Sequence, residues 1–420
     1  MTLSVNESAK FRLTSGVTPE LDIAIVGAGM AGLRAAQLLE RAGRDVTIFE
    51  SSDAVGGRIR SRHVDGFVID EGFQLLNTAY PELRATGVLS ALTLQPFASS
   101  LTLRSGGRDR VLAHPLREPL SALQSLLVRS GSPRDLARFG WLLGRVGLSD
   151  QPTFLAHPDC TAREGFRTAG LSDEFVTSVV EPFLRGVLLE GDLSTSWRYV
   201  QLVLRSFVKG QAAVPAGGMQ QLPLALRGLL STTHFHFNEP VDRVSATSVT
   251  TSLATYSARA VIVATEEPAA ATLRGEIPPT GRAVTTWWFA TPVLRDSRLH
   301  LDGDGGFLSN ALAISVGAPS YAPAGSTLVA ASANGLHDSA ADLERATADV
   351  ARLYGLATND VSLVATTPVR YALPALSPTD HFAGLLNRDG VIFAGDYAET
   401  PSIQGALVSG RRAARAVLAN

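Results

Sequence analysis

A glycine-rich turn between two apolar runs constrains the fold of this chain more than any other feature. Residues 21–50 read LDIAIVGAGMAGLRAAQLLERAGRDVTIFE: an apolar run, the turn, a helical pattern, and a second apolar run that ends at Glu50. Arg41 and Arg44 flank Gly43 after the helical pattern, which is typical of a helix C-terminus. The segment therefore predicts a βαβ unit in which the two strands lie parallel.

The turn contains Gly27, Gly29 and Gly32, which form the pattern GxGxxG between the first strand and the helix. The first glycine permits a tight turn, the second lets the backbone approach a pyrophosphate, and the third lets helix and strand pack closely. Glu50 can bind the ribose hydroxyls of an adenosine and would repel a 2′-phosphate. The pattern predicts a dinucleotide site. Its predicted contacts in this unit are Gly27, Gly29, Met30, Gly32, Glu50 and Ser51.

NAD and FAD share this pattern, and a second glycine turn begins to distinguish them. Gly56 and Gly57 precede Arg58 shortly after the second strand, which places a guanidinium near the predicted pyrophosphate. Adjacent glycines allow contact with the backbone, and arginine adds a charge-assisted bond to phosphate. In isolation, this segment would be interpreted as an ordinary surface turn.

A C-terminal segment favours FAD. The stretch AGDYAETPSIQGALVSGRRAARAVLA places Gly395 and Asp396 after a strand, with Ser402 and Ile403 at the start of a helix. A carboxylate here can bind ribityl hydroxyls. The helix amides can stabilise negative charge that develops at N1 and O2 of a flavin ring when it accepts electrons. With the N-terminal motifs, this segment predicts one bound FAD.

These motifs resemble the flavin-containing amine oxidoreductase superfamily, which includes monoamine oxidases, protoporphyrinogen oxidases and carotenoid desaturases. The resemblance covers residues 21–80, 212–266 and 388–418, and it looks closest to phytoene desaturase-like enzymes. It implies that Val241 meets the adenine, that Thr265 lies near the adenosine, and that a loop borders the flavin. The residues of that loop are Gly72, Phe73 and Gln74. Phe73 replaces a residue that is usually small in the family, and it could instead wall the substrate cavity.

The predicted fold class is α/β, with a Rossmann-like FAD-binding domain (a doubly wound parallel sheet) and an inserted α+β substrate domain. We assign residues 1–20 to a polar tail, 21–85, 211–275 and 385–420 to the FAD-binding domain, and 86–210 and 276–384 to the substrate domain. The first insertion is predicted to be rich in helix and the second to be irregular. FHFNEPVDRV, VTTSLAT and AVIVAT are predicted strands.

Composition argues against other classes of protein. The net charge of -2 gives no field that would attract nucleic acid. Cys160 is the single cysteine, so we expect no disulfide, no CxxC metal site and no cysteinyl flavin; the FAD should be non-covalent. No run of about 18 apolar residues is free of charge, which favours a cytoplasmic protein. Residues 116–128 and 136–146 read as amphipathic helices, which more often cap a core but leave open a peripheral contact with a membrane.

No residue is predicted to be catalytic. His114, Tyr371 and His381 are of the right type for proton transfer, but we interpret them as structural. Trp287, Trp288 and Phe289 are interpreted as core residues, with a cavity wall as the alternative. Some amine oxidases hold a water with a lysine near the flavin. Lys209, the only lysine outside the tail, lies before the middle segment, which argues against that arrangement.

Three functions remain open. The first is FAD-dependent dehydrogenation, desaturation or isomerisation of a small apolar molecule, such as an isoprenoid or polyene, by hydride transfer. The second is an amine oxidase that produces peroxide. The third is a non-catalytic prenyl binder like the GDP-dissociation inhibitors. The sequence leaves the substrate, the electron acceptor (oxygen or a quinone) and the oligomeric state open.

Overall fold

The structure is a computed structural model that describes residues 20–113, 117–118, 132–149, 158–380 and 386–419. The predicted polar tail up to residue 19, His114, His381 and most of the predicted helix 116–128 lie outside the described residues.

The strands are β1 (Leu21–Val26), β2 (Val46–Phe49), β3 (Ser61–Val64), β4 (Phe67–Asp70), β5 (Leu76–Asn77), β6 (Leu94–Pro96), β7 (Ser100–Ser105), β8 (Arg108–Ala113), β9 (Ala212–Pro215), β10 (His234–His236), β11 (Val241–Ser245), β12 (Ser248–Thr251), β13 (Thr255–Val263), β14 (Arg282–Thr291), β15 (Leu299–Asp302), β16 (Asn310–Leu312), β17 (Thr327–Asn334), β18 (Ser362–Leu373), β19 (Leu386–Arg388) and β20 (Val391–Phe393). The helices are α1 (Met30–Arg41), α2 (Pro81–Thr86), α3 (Pro133–Leu148), α4 (Ala162–Thr168), α5 (Asp173–Phe175), α6 (Glu181–Leu188), α7 (Trp197–Lys209), α8 (Gln221–Arg227), α9 (Glu267–Leu273), α10 (Ile314–Gly317), α11 (Ala340–Tyr354) and α12 (Ile403–Ala419).

Five parallel strands form the centre of the first sheet, in the order β10-β2-β1-β13-β20. Because β1 and β2 pair in parallel around α1, the predicted βαβ unit is confirmed. Antiparallel strands extend this centre, with β19 on β20 and the pair β12 and β11 on β13. One sheet is therefore built from three separate stretches of the chain.

The two faces of this sheet carry different layers. Ile23 and Ile25 belong to the core cluster with α1 and α12, whereas Ala24 and Val26 pack with β11, β12 and α9. Gly410 brings α12 against α1, because a Cβ at this position would overlap the carbonyl oxygen of Ala31. Both helices follow parallel strands, so their N-termini lie at the carboxyl edge of the sheet, where α/β proteins bind ligands. The predicted α/β fold class is confirmed.

The prediction of one strand for FHFNEPVDRV is wrong. The structure divides it into β10 and β11, because Asn238 adopts a left-handed φ of 56° and Pro240 has no N–H for a sheet ladder. The Glu239 carboxylate lies buried at the break and accepts hydrogen bonds from Thr251 Oγ1 (2.8 Å) and Tyr256 Oη (2.9 Å). The chain thus leaves the parallel strands and enters the antiparallel hairpin.

The second sheet has seven strands in the order β18-β14-β17-β16-β15-β7-β8. Strands β7 and β8 come from the first predicted insertion and β14 to β18 from the second, and the parallel pair β15 and β7 joins them. The prediction that 276–384 is irregular is wrong. Strands β14 and β17 of this segment are buried on both faces, so they lack the polar alternation of a half-buried strand.

Trp287, Trp288 and Phe289 are all buried on β14. Trp288 packs in the core shared with the first sheet, and the other two pack in the cluster with α11. Their interpretation as core residues is confirmed.

Helices of the first insertion cover the second sheet around a separate apolar core. In α3, Leu142 and Val146 are fully buried in this core, whereas Trp141 and Leu148 are exposed. The predicted amphipathic helix 136–146 therefore caps a core. Within the described residues, no helix is long and apolar enough to cross a membrane.

A buried carboxyl links three separate segments of the chain. Asp70 on β4 is fully buried and accepts hydrogen bonds from Ser61 Oγ (2.6 Å), the Met219 amide (3.0 Å) and Tyr321 Oη (2.9 Å). Burial raises its pKa to about 6 despite these bonds. Asp70 lies two residues before Gly72, the first residue of the loop that is predicted to border the flavin, so it anchors the base of that loop.

We expect Asp70 to make stability depend on pH. Between the ordinary pKa of 3.8 and about 6, the folded protein keeps the proton that the unfolded chain has lost. The free energy of unfolding should therefore fall through this interval as the pH rises. Asp70→Asn lacks the titrating group, so over the same interval the wild-type protein should lose more stability than the variant. Urea unfolding at several pH values measures this difference. The exposed Asp53→Asn is the control, and parallel profiles for wild type and Asp70→Asn would contradict the prediction.

Candidate cofactor and substrate site

A continuous cavity of about 1560 Å³ runs from the carboxyl edge of the first sheet to the second sheet. Single-ligand pockets usually hold roughly 300–1,000 Å³, so this cavity has room for a large cofactor and a second molecule. Apart from Gly32, every residue predicted to contact the cofactor lines it. These lining residues are Gly27, Gly29, Met30, Glu50, Ser51, Gly56, Gly57, Arg58, Gly72, Phe73, Gln74, Val241, Thr265, Gly395, Asp396, Ser402 and Ile403.

The three glycines of the first turn occupy different surroundings. Gly27 has a φ of 101°, and a Cβ there would lie 2.9 Å from the carbonyl oxygen of Ala264. A Cβ on Gly32 would overlap the carbonyl oxygen of Gly27, so this residue packs the helix onto the turn and does not face the cavity. A Cβ on Gly29 would meet no atom within 4 Å. The turn therefore leaves an open cradle at Gly29, beside the N-terminus of α1.

Glu50 lies at the carboxyl end of β2 and is 7% exposed. One carboxylate oxygen accepts a hydrogen bond from the Ala28 amide at 2.7 Å, and the other accepts from the Ser52 amide and from Ser52 Oγ at 3.0 and 2.6 Å. These bonds fix the carboxylate at the cavity wall. Ser52 was missed by the sequence analysis, although its position beside Glu50 offered a signal.

Arg58 and Asp396 form an ion pair at 2.7 Å. Arg58 also donates from Nη1 to the carbonyl oxygen of Ala372 at 2.7 Å, and its guanidinium lies 5.9 Å from the centre of the Tyr371 ring. Burial opposes the charged form of Arg58, but Asp396 and Glu266 raise its pKa above the ordinary value, so the guanidinium stays charged. The N-terminal and C-terminal flavin motifs therefore meet at one point. Tyr371 supports Arg58 and does not line the main cavity.

The loop that is predicted to border the flavin is tied both to the second glycine turn and to the second sheet. Gln74 Nε2 donates to the carbonyl oxygens of Arg58 (2.9 Å) and Glu71 (3.0 Å). The Gly72 and Phe73 amides donate to threonine hydroxyls of the second sheet. Phe73 lines the cavity at the junction between the two sheets. This position is compatible with both of its predicted roles, bordering the flavin and walling the substrate cavity.

The start of α12 closes this end of the cavity. Ser402 Oγ accepts a hydrogen bond from the Gly405 amide at 3.0 Å, which caps the first turn. Tyr199 on α7 donates from its buried hydroxyl to the carbonyl oxygen of Pro401 at 2.8 Å, and burial raises the pKa of this phenol. The open amides of a helix start favour negative charge, so the geometry suits the reduced form of a flavin.

Beyond this end the cavity continues into a chamber, which we call the substrate chamber. Its walls are α6, α7 and the second sheet. Sequence reasoning placed no ligand contact on these elements. Apolar side chains dominate the chamber, among them Phe183, Val187, Leu202, Val284, Leu299 and Leu301.

Charge is distributed unevenly along the cavity. Among the described residues that line it, the carboxylates are Glu50, Glu71, Asp242, Glu266 and Asp396. None of them belongs to the walls of the substrate chamber, where Arg205 and Lys209 supply the charged groups at the end of α7. Lys209 is exposed at this end.

These residues fit an FAD. Asp396 is 4% exposed, and its Oδ1 has no hydrogen-bond partner in the part of the chain that the structure describes, so the carboxylate can still accept a hydroxyl. The open cradle at Gly29 suits a pyrophosphate, and the fixed Glu50 suits a ribose. No group of three or more potential metal ligands occurs in the described residues. The fold and the site together define an FAD-dependent oxidoreductase.

Comparison with known proteins identifies the family. The family model described as flavin containing amine oxidoreductase matches residues 30–418, so the chain belongs to that family. The predicted resemblance to this superfamily is confirmed.

Curated relatives match over short stretches. The chain is 45% identical to putrescine oxidase of Kocuria rosea over 73 residues, which cover 17% of this chain and 15% of the relative. It is 26% identical to mitochondrial protoporphyrinogen oxidase of Nicotiana tabacum over 167 residues, which cover 39% of this chain and 32% of the relative. The alignments thus span well under two thirds of these relatives.

A solved structure of an oxidoreductase from Methanosarcina mazei matches with a TM-score of 0.74 at 17% identity. The match covers 95% of this chain and 100% of that chain. It shows that the whole fold is shared.

Proposed function

We propose that this protein acts on a neutral, largely apolar small molecule by hydride transfer to FAD, and either oxidises it by dehydrogenation or desaturation or isomerises it. The observation that carries the proposal is the substrate chamber, whose described walls are mostly apolar and contribute no carboxylate. An ammonium ion moved into such a chamber would lose its hydration without gaining a counter-ion. An isoprenoid or polyene would lose only unfavourable contacts with water.

The residues of this chain would bind the cofactor and the substrate, orient the substrate against the flavin, and exclude water from the site. Gly29, Arg58 and Glu50 would hold the pyrophosphate and ribose, and Asp396 the ribityl chain. FAD, when bound, supplies the two-electron acceptor. Phe73 and the apolar walls would hold the substrate against the ring, which matters more for hydride removal than a strong base. No catalytic acid or base is assigned.

The alternative is an amine oxidase, which the similarity to putrescine oxidase supports. The chamber walls weigh against it, because their described residues offer no carboxylate to pair with an ammonium ion and include the cationic Arg205 and Lys209. A non-catalytic prenyl binder is disfavoured, because the family match and the pairing of Arg58 with Asp396 both indicate a flavin site.

Further parts of the proposal concern partners and location. We propose oxygen or a quinone as the electron acceptor, no nucleic-acid partner, and a cytoplasmic location with peripheral membrane contact through exposed apolar side chains. Trp141 and Leu148 on α3 are 63% and 89% exposed and are the residues that such a contact would use.

We expect purified protein to be yellow and to bleach without oxygen when mixed with a suitable polyene or isoprenoid. The test panel sets such compounds against putrescine and benzylamine, with flavin absorbance as the first measurement and peroxide after admission of oxygen as the second. Bleaching by the amines alone, with peroxide, would replace the proposal with the alternative. Protein that stays colourless with added FAD would reject both.

A further inference from the structure

A row of polar side chains crosses the second sheet at one level. Asn310 on β16 stands opposite Ser332 on β17, Ser332 stands opposite Thr286 on β14, and Thr286 stands opposite Thr367 on β18. Residues directly opposite in antiparallel strands share one face of the sheet. The four side chains therefore form a polar row on a face that is otherwise largely apolar.

Three members of the row already have partners. Thr367 Oγ1 accepts from the Gly72 amide at 3.2 Å, and Thr286 Oγ1 accepts from the Phe73 amide at 3.1 Å. Ser332 Oγ and Thr286 Oγ1 lie 2.9 Å apart. This part of the row fixes the loop at the flavin border, so the row is aligned with the place where the ring would lie.

Asn310 differs from the other three. It is 4% exposed and lines the substrate chamber together with Ser332, yet its Oδ1 has no hydrogen-bond partner among the described residues. Buried polar atoms are nearly always hydrogen-bonded, because leaving one unpaired costs free energy. An unpaired amide on the wall of a chamber is explained when a ligand supplies the missing bond.

The neighbouring helix holds this amide in place. A Cβ on Gly186 of α6 would overlap Asn310 Nδ2, so the absence of a side chain at that position makes room for the amide. Gly186 also lines the chamber, whereas its neighbours Phe183 and Val187 present apolar side chains. The amide is therefore a polar spot of defined position in apolar surroundings.

We propose that Asn310 binds an uncharged hydrogen-bonding group of the substrate, such as a hydroxyl, and so orients an apolar skeleton relative to the flavin. A hydroxyl suits the amide because both groups donate and accept hydrogen bonds. A cationic group is disfavoured because the described chamber walls offer no carboxylate to pair with it. This inference rests on the proposed function and adds the substrate class to it: a neutral, mainly apolar alcohol or a molecule of similar polarity.

The experiment measures binding by calorimetry on the FAD-loaded protein, with cuminyl alcohol and p-cymene as probes. These probes differ only in one hydroxyl. We expect wild-type protein to bind the alcohol about tenfold more tightly than the hydrocarbon, as one neutral hydrogen bond allows. Asn310→Leu should abolish this preference and leave the affinity for p-cymene unchanged. The exposed Asn359→Leu carries the same substitution away from the cavity and should behave as wild type.

A second variant covers the case in which Asn310→Leu does not fold. Gly186→Ala keeps the asparagine but displaces its amide, and it should also reduce the preference. Wild-type protein without a preference, or a preference that survives in a folded Asn310 variant, overturns the inference. Because binding is measured without turnover, these results are independent of whether any compound bleaches the flavin, which tests the proposed function.

Discussion

Gly29→Val will leave the protein folded and lower its affinity for FAD by at least about a hundredfold. The position has a φ of -75°, which any residue adopts, and a Cβ there meets no atom of the protein within 4 Å. The added side chain instead fills the open cradle, where the backbone would approach the pyrophosphate. Circular dichroism will show a native fold, and FAD fluorescence titration will show the loss of affinity.

The matched control is Gly32→Ala, in the same turn. Alanine has a smaller side chain than valine, but its Cβ at this position would overlap the carbonyl oxygen of Gly27. The substitution should therefore push α1 away from β1 and prevent stable folding. If Gly29→Val bound FAD normally, the cradle would not be the pyrophosphate site.

Arg58→Met will release FAD and also destabilise the protein. The substitution leaves the Asp396 carboxylate, 4% exposed, without its cationic partner. Removing one member of a buried pair costs about 3–5 kcal/mol, and because the Arg58 side chain is 27% exposed we expect roughly 1–3 kcal/mol here. FAD affinity should fall at least about a hundredfold, since a guanidinium at the pyrophosphate is lost as well. Urea unfolding and FAD titration measure the two effects separately.

Arg44→Met provides the control for this prediction. Arg44 makes a comparable pair with Asp22 at 2.7 Å, but the pair lies away from the cavity and both side chains are more exposed than Asp396. It should cost less than about 1 kcal/mol and leave FAD affinity unchanged. The double variant Arg58→Met/Asp396→Asn should recover stability without recovering FAD. Recovery of both would contradict a cofactor role for the pair.

The cofactor half of the site could be predicted because its chemistry is local. Gly27, Gly29 and Gly32 lie within one turn, and Glu50 follows at a spacing that the βαβ unit fixes. Asp396 was found because it too sits between a strand and a helix start. Even Gly32, which does not line the cavity, has the packing role that its position in the pattern predicts.

The substrate half could not be predicted, because it depends on the register of distant strands. Nothing in the local pattern around Asn310 indicates that it stands opposite Ser332, or that Gly186 makes room for its amide. The second sheet was missed for a related reason. Strands buried on both faces, such as β14, have no alternation that distinguishes them from irregular apolar sequence.

The ion pair between Arg58 and Asp396 also bears on when the protein can acquire its cofactor. A ribosome adds roughly 5–20 residues per second, so the nascent chain displays both glycine turns for many seconds before the carboxylate emerges. During that time the ribityl anchor is missing, and the parallel sheet lacks β20 at its edge. The chain therefore binds FAD late in its biosynthesis. Chains whose synthesis stops before Asp396 would contain no flavin and would be susceptible to proteolysis.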